Sequence, residues 1–227
     1  ISAGPGCWSQ ALVDYGMLPE IISVVQEFSA GLHVRVQAIW CVSNICCEGA
    51  RLRDAVVELD GVNLACSLLD TPKLPDARIC AWALANMFRA RPNLSTTFCK
   101  SAMQCFAKFH SIDEKSTKDE IRTAEALLWG LAYATDGTDE HIQIALDADV
   151  AAPLVNILRQ QHSNFETLQA PALRAIGNIS SGTDVQMDVI LNAGVCQVLK
   201  TYLYNPSKAV KKDALWTISN IGAGTES

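Results

Sequence analysis

The chain has 227 residues, of which 49% are hydrophobic, and its formal net charge is −6. The apolar share is ample for a continuous core, and the acidic balance argues against sequence-independent nucleic-acid binding, which requires lysines and arginines that neutralise phosphates. No apolar run approaches the roughly 18 residues that a membrane-spanning helix needs. The nine cysteines form no pair of CxxC motifs, which favours reduced thiols packed as small hydrophobes. We therefore expect neither a nucleic acid nor a membrane as a partner.

In chain order, the sequence predicts helices that recur in sets of three. Gly16 and Pro19 divide residues 9–28 into two helical patterns. Similar breaks in the helical pattern recur at residues 58–62, 146–150 and 192–195, each time before an apolar helix of about ten residues. A short polar link then leads to a third helix. The link SIDEKSTKDE, residues 111–120, is longer and highly charged, which predicts a solvated loop.

The third helix of each predicted set carries a motif in which an asparagine follows a tryptophan after four residues. The full forms are Trp40 with Asn44, Trp82 with Asn86 and Trp216 with Asn220, and the altered forms are Trp129 with Tyr133 and Arg174 with Asn178. Successive motifs begin in steps of 42, 47, 45 and 42 residues, from position 40 to position 216. Self-similarity at this period is typical of armadillo or HEAT solenoids, and three helices per unit favour the armadillo plan. We predict an all-α, right-handed superhelical solenoid, a single array of about five armadillo repeats over residues 1–227, with both ends inside a longer array.

The spacing of the motif places its two side chains on one helix face, one turn apart. The simplest interpretation is structural, with the tryptophans in the core and the asparagines bracing turns. The repetition favours a binding role, because asparagine is a poor residue inside a helix and its amide can hold the backbone of an extended peptide. Exposed indole rings would attract lysine and arginine side chains. Nearby acidic residues would favour the same cations, namely Glu48, Asp136, Asp184 and Asp213.

Several segments resemble importin-α, also called karyopherin-α, an armadillo adaptor that carries nuclear localisation signals. They are WCVSN, WALAN with the following FRARP, WGLAYATDG, PALRAIGNISSGTDVQ and WTISNIGAG, and the resemblance covers essentially the whole chain. It implies that basic signal peptides bind in extended form along a concave Trp/Asn ladder with a major and a minor site. The residues that match the major site are Gly4, Ser9, Gln37, Trp40, Asn44, Glu48, Trp82, Asn86 and Arg89. Those that match the minor site are Tyr133, Asp136, Arg174, Asn178, Asp184, Asp213, Trp216 and Asn220.

The resemblance also implies partners and a cellular route. Besides the basic localisation signals of cargo proteins, it implies importin-β, bound through an N-terminal arm outside this chain. It further implies shuttling between cytoplasm and nucleus through the nuclear pore. Two positions depart from the family pattern, since Ile79 stands where a polar residue is common and Ala126 where an aspartate is usual. Both departures reduce the expected selection for cations in that stretch.

An armadillo scaffold that binds other extended peptides in signalling or adhesion is the alternative function. It predicts a groove rich in lysine and arginine, whereas the third helices here supply tryptophan, asparagine and acids. An enzyme is disfavoured, because no phosphate loop or nucleophile motif occurs and no metal-ligand spacing joins the histidines His33, His110, His141 and His162. We therefore expect a binding protein without catalytic activity, cofactor or metal.

Overall fold

The computed structural model describes residues 6–71, 74–160 and 162–224, and within these ranges every regular element is a helix. The α-helices in chain order are α1 (Gly6–Asp14), α2 (Met17–Gln26), α3 (Leu32–Cys46), α4 (Ala50–Glu58), α5 (Gly61–Leu69), α6 (Leu74–Arg89), α7 (Thr96–Phe106), α8 (Lys118–Thr135), α9 (Asp139–Leu146), α10 (Ala151–Arg159), α11 (Glu166–Ile179), α12 (Asp184–Asn192), α13 (Val195–Tyr202) and α14 (Lys208–Gly222). Short 3-10 turns occur at Phe28–Ala30, Ala107–Ser111 and Ser163–Phe165. The predicted all-α class is confirmed.

Four groups of helices have the expected three members, namely α1–α3, α4–α6, α9–α11 and α12–α14. The group between them departs from the prediction, because its described residues form only two α-helices, α7 and α8. Helix α7 packs against α9, the first helix of the next group, and between α7 and α8 the 3-10 turn Ala107–Ser111 takes the place of a second α-helix. Residues 90–95, which join α6 to α7, form no helix, and in this link the side-chain amide of Asn93 donates to the backbone carbonyl of Asp136.

The predicted charged loop is also shorter than expected. Thr117 caps α8, and its side chain and backbone exchange hydrogen bonds with Glu120 in a capping box. The helix therefore begins at Lys118, and residues 112–117 form the loop.

The third helices of the groups lie side by side, with α3 against α6, α6 against α8, α8 against α11 and α11 against α14. Each buries one apolar face. In α6, Cys80, Leu84 and Met87 are at most 1% exposed, whereas Trp82 on the opposite side is 50% exposed. The same five helices therefore supply a continuous core and an exposed strip. We call this exposed strip of α3, α6, α8, α11 and α14 the third-helix face.

A buried arginine fixes the end of α6. Arg53 on α4 is 1% exposed, and its guanidinium donates to the backbone oxygens of Met87, Ala90 and Pro92 at 3.3, 2.9 and 2.7 Å. The last carbonyls of a helix lack intrahelical partners, and the helix dipole favours a cation beside them. This contact therefore anchors the helix that carries the second full Trp/Asn motif.

No helix in the described ranges is by itself long and apolar enough to cross a membrane. The pair α9 and α10 satisfies the length and composition criteria only when the two are joined across a bend of 77°. In the array this pair supplies core residues, since Ile142, Ala145 and Leu154 are at most 2% exposed.

Every cysteine whose side chain the structure describes is a free thiol. Burial raises the pKa of Cys80 to about 12 and that of Cys99 to about 11. These thiols are therefore protonated at neutral pH and pack as small apolar groups.

Replacing Arg53 by leucine should lower the free energy of unfolding by about 3 kcal/mol, because the carbonyls of Met87, Ala90 and Pro92 would lose a buried charged donor. Urea denaturation followed by helical circular dichroism measures the loss. Arg51→Leu is the matched control, since Arg51 is exposed on the same helix, and it should change stability by less than about 0.5 kcal/mol. Equal losses in the two variants would contradict an anchoring role for Arg53.

Candidate functional site

Tryptophans recur along the third-helix face and are unusually exposed for such large apolar side chains. Trp40, Trp82 and Trp216 are 48%, 50% and 37% exposed on α3, α6 and α14. Trp129 on α8 is half-buried and stacks on Tyr133, with ring centroids 5.9 Å apart and an interplanar angle of 26°. A series of exposed indoles on one face is typical of a binding surface, because the protein gains no burial energy from leaving them in water.

The asparagines of the motif link neighbouring third helices. The amide nitrogen of Asn86 donates to the Ser43 hydroxyl at 3.0 Å, and that of Asn220 donates to the Gly177 carbonyl at 3.1 Å. Asn178 donates to the carbonyl of Ala132 at 2.7 Å.

These inward bonds use the amide nitrogens. Within the described residues, the side-chain oxygens of the same asparagines accept no hydrogen bond, so they can receive a ligand N–H. Asn44 differs from the other three, because its half-buried side chain forms no hydrogen bond to any described residue.

A glycine allows Trp216 to lie directly on α11. A β-carbon at Gly177 would lie 2.6 Å from the Trp216 ring, and the Gly177 carbonyl accepts the bond from Asn220. Trp216 of the last full Trp/Asn pair can therefore lie this close to α11 only because residue 177 has no side chain.

Two of the four predicted acids are already neutralised by arginines. Asp213 is 7% exposed, and the guanidinium of Arg174 donates to its carboxylate at 2.8, 3.1 and 3.2 Å. The carboxylate of Asp136 pairs with Arg91, which also donates to the Asp136 backbone carbonyl at 2.6 Å.

The other two acids are exposed. Glu48 follows the end of α3 and forms no ion pair among the described residues. Asp184 is the first residue of α12, which follows the Asn178 motif. Glu48 is thus the predicted acid with the most accessible negative charge beside a full motif.

The structure brings the tryptophans of the first two full motifs together around an open pocket of about 380 Å³. It is lined by Trp40, Arg78, Ile79, Trp82, Arg122, Glu125 and Ala126. Sequence reasoning identified the two tryptophans and the two departures at Ile79 and Ala126, but it missed both arginines and Glu125. Spacing could have revealed them, because Arg78 precedes Trp82 by four residues and Arg122 precedes Ala126 by four.

The remaining predicted residues differ in position. Gln37 is exposed three residues before the first ladder tryptophan, whereas Ser9 on α1 is fully buried. Arg89 is exposed at the end of α6, and its charge opposes the rise in the pKa of the Cys47 thiol that burial causes. This interaction places Arg89 beside Cys47, the residue that follows α3 and directly precedes Glu48. Gly4 lies outside the described residues.

Comparison with known proteins agrees with this geometry. A family model described as Armadillo/beta-catenin-like repeat matches residues 138–181 and 184–223. Importin subunit alpha-1a of Oryza sativa subsp. japonica is 32% identical over 229 residues, which cover 100% of this chain and 41% of the relative. The chain is an importin-α-like armadillo-repeat protein.

Other importin-α-like relatives show the same partial coverage. Importin subunit alpha-3 of Arabidopsis thaliana is 31% identical over 219 residues, or 95% of this chain and 39% of the relative. Importin subunit alpha-2 of Caenorhabditis elegans is 28% identical over 214 residues, or 92% of this chain and 38% of the relative. The importin-α-like chain thus spans about two fifths of the length of these relatives.

Solved structures confirm the armadillo fold. A designed armadillo repeat protein in complex with the peptide (KR)4 superposes with a TM-score of 0.78 at 24% identity, covering 92% of this chain and 83% of that one. A second designed armadillo repeat protein gives a TM-score of 0.83 at 20% identity, covering 97% of this chain and 89% of the other.

Replacing Asn178 by alanine should lower the free energy of unfolding by about 1–2 kcal/mol, because the hydrogen bonds from its amide on α11 to the Ala132 carbonyl and the Thr135 hydroxyl on α8 would be lost. Asn44→Ala is the matched control and should cost less than about 0.5 kcal/mol, since no described partner is lost. Chemical denaturation of both variants measures the difference. A loss at Asn44 as large as that at Asn178 would show that the hydrogen bonds do not account for the stabilising role of the motif.

Proposed function

We propose that this importin-α-like chain is the peptide-binding part of a nuclear import adaptor, which holds Lys/Arg-rich localisation signals in extended form along the third-helix face. The observation that carries the proposal is the series of half-exposed tryptophans, Trp40, Trp82 and Trp216, each one turn from an asparagine. No element of the described chain covers these rings to the extent expected of core tryptophans.

The chemistry of the pair suits a basic peptide. The negative face of an indole ring attracts a lysine ammonium or an arginine guanidinium, a contact worth about 0.5–2 kcal/mol. The asparagine oxygen that is left after the inward bond accepts a peptide backbone N–H, so recognition of the backbone is independent of the peptide sequence. Neighbouring helices pack about 8–10 Å apart and extended residues rise about 3.3 Å each, so one motif serves two or three peptide residues.

The two halves of the ladder differ in charge. Glu48 has no ion-pair partner among the described residues and lies beside Asn44. We therefore expect the peptide lysine that lies deepest in the groove to bind in the first half of the ladder. Asp136 and Asp213 face arginines that already neutralise them. We expect a smaller contribution to cation binding from the second half, which corresponds to the minor site of the family.

The comparisons support this proposal. The relatives of the chain are importin subunits, which favours a transport adaptor over the scaffold alternative and over an enzyme. A designed armadillo protein of the same fold was solved with a Lys/Arg peptide. By the same likeness we propose that the chain is one continuous array of about five repeats inside a longer protein. That protein would bind importin-β through an arm outside this chain and would shuttle between cytoplasm and nucleus.

A fluorescent lysine-rich localisation peptide should bind the chain saturably in an anisotropy titration, and Trp40→Ala with Trp82→Ala should raise the Kd at least about tenfold. Both rings are half-exposed, so the double variant should keep its helical circular dichroism. Tyr204→Ala is the control, because Tyr204 is 83% exposed after α13, and it should leave the Kd unchanged. An unchanged Kd in the tryptophan double variant would refute the ladder as the binding surface.

Glu48→Gln should weaken binding of the same peptide about two- to fivefold, because one exposed carboxylate–ammonium pair is lost. The effect should shrink as salt rises, since screening removes what the charge contributes. Glu58→Gln removes an exposed charge from α4 and serves as the control for net charge. Identical shifts in the two variants would mean that the overall field, rather than Glu48 itself, attracts the peptide.

A further inference from the structure

The pocket between Trp40 and Trp82 does not have the electrostatics of a lysine site. Its walls are the two indoles, and its apolar lining includes Ile79 from α6 and the buried Ala126 from α8. The charged lining residues are two arginines and one glutamate, namely Arg78, Arg122 and Glu125. With all three ionised, the pocket carries a net positive charge.

The two arginines are available to a ligand. Among the described residues, neither Arg78 nor Arg122 takes part in an ion pair, and no hydrogen bond from either guanidinium to protein is present. A peptide lysine or arginine in this pocket would meet two like charges, which disfavours it.

Glu125 cancels at most one of the two positive charges. Burial raises the pKa of its carboxyl group, while a hydrogen bond with Thr167 and the charge of Arg122 oppose the rise. The carboxylate forms no ion pair with Arg122. The guanidiniums remain the donors that a ligand would meet.

We infer that this pocket binds an acidic side chain, glutamate or aspartate, of the peptide that lies along the third-helix face. The methylene stem lies between Trp40 and Trp82, and the carboxylate receives N–H groups from Arg78 and Arg122. Charge complementarity decides between the possible occupants: a carboxylate pairs with the guanidiniums, whereas an apolar side chain would cover them without a partner. The inference rests on the proposed function and narrows it, since the preferred ligand becomes a Lys/Arg peptide interrupted by one acidic residue.

A glutamate scan tests the inference. Each residue of a short alternating Lys-Arg peptide is replaced in turn by glutamate, and the Kd of every labelled peptide is measured by anisotropy. Glutamate should weaken binding at all positions except one, where it should tighten binding about three- to tenfold relative to lysine. Leucine at that position should give an intermediate Kd, because it fills the apolar slot but leaves the arginines unpaired.

Variants of the protein then assign the effect to the pocket. Arg78→Gln with Arg122→Gln should abolish the gain from glutamate, and Arg122→Glu should reverse the preference in favour of lysine. Arg51→Gln removes an exposed charge from α4, outside the pocket, and should preserve the gain. Helical circular dichroism of each variant confirms that it is folded.

The outcomes separate this inference from the proposed function. If the Lys-Arg peptide binds but glutamate weakens binding at every position, or leucine binds more tightly than glutamate, the inference is overturned and the basic-peptide groove stands. If the folded protein binds neither the parent peptide nor any peptide of the scan, both are overturned. A gain from glutamate that survives in the double glutamine variant would also overturn the assignment to Arg78 and Arg122.

Discussion

The side-by-side packing of the third helices is the constraint on which the rest of the structure depends. Each of these helices must bury an apolar face, as α6 does with Cys80, Leu84 and Met87, and the next helix completes that burial. The register that follows from this packing places Trp40 and Trp82 on the opposite side, in water and next to each other around one pocket. The same helices therefore form the core with one face and the candidate site with the other.

The asparagines show why a structural and a binding interpretation of the motif need not compete. Asn86, Asn178 and Asn220 use their amide nitrogens to connect each third helix to its predecessor, and this use explains why a poor helix former recurs there. Their oxygens are left for a peptide backbone. Substitutions at these asparagines will mix stability with binding, whereas the half-exposed tryptophans report on binding more cleanly.

The charges along the third-helix face are mixed in sign rather than uniformly negative. Asp213 pairs with Arg174 and Asp136 with Arg91, while Glu48 has no ion-pair partner among the described residues. Within the same strip, two arginines line the pocket that separates the first two full motifs. A net charge of −6 does not reveal such an arrangement, because specificity depends on which charges face the ligand in pairs.

The sequence by itself determined the all-α repeat, the position of each Trp/Asn pair and the departures at Ile79 and Ala126, because helical periodicity and repeat spacing are local properties of the chain. Only the tertiary structure decided which side chains from different repeats meet. Arg122 on α8 shares a pocket with Trp40 on α3, although more than one repeat of sequence separates them. The sequence also did not reveal that the 3-10 turn Ala107–Ser111 takes the place of a second α-helix between α7 and α8. Contacts between distant residues arise from packing, which no local pattern encodes.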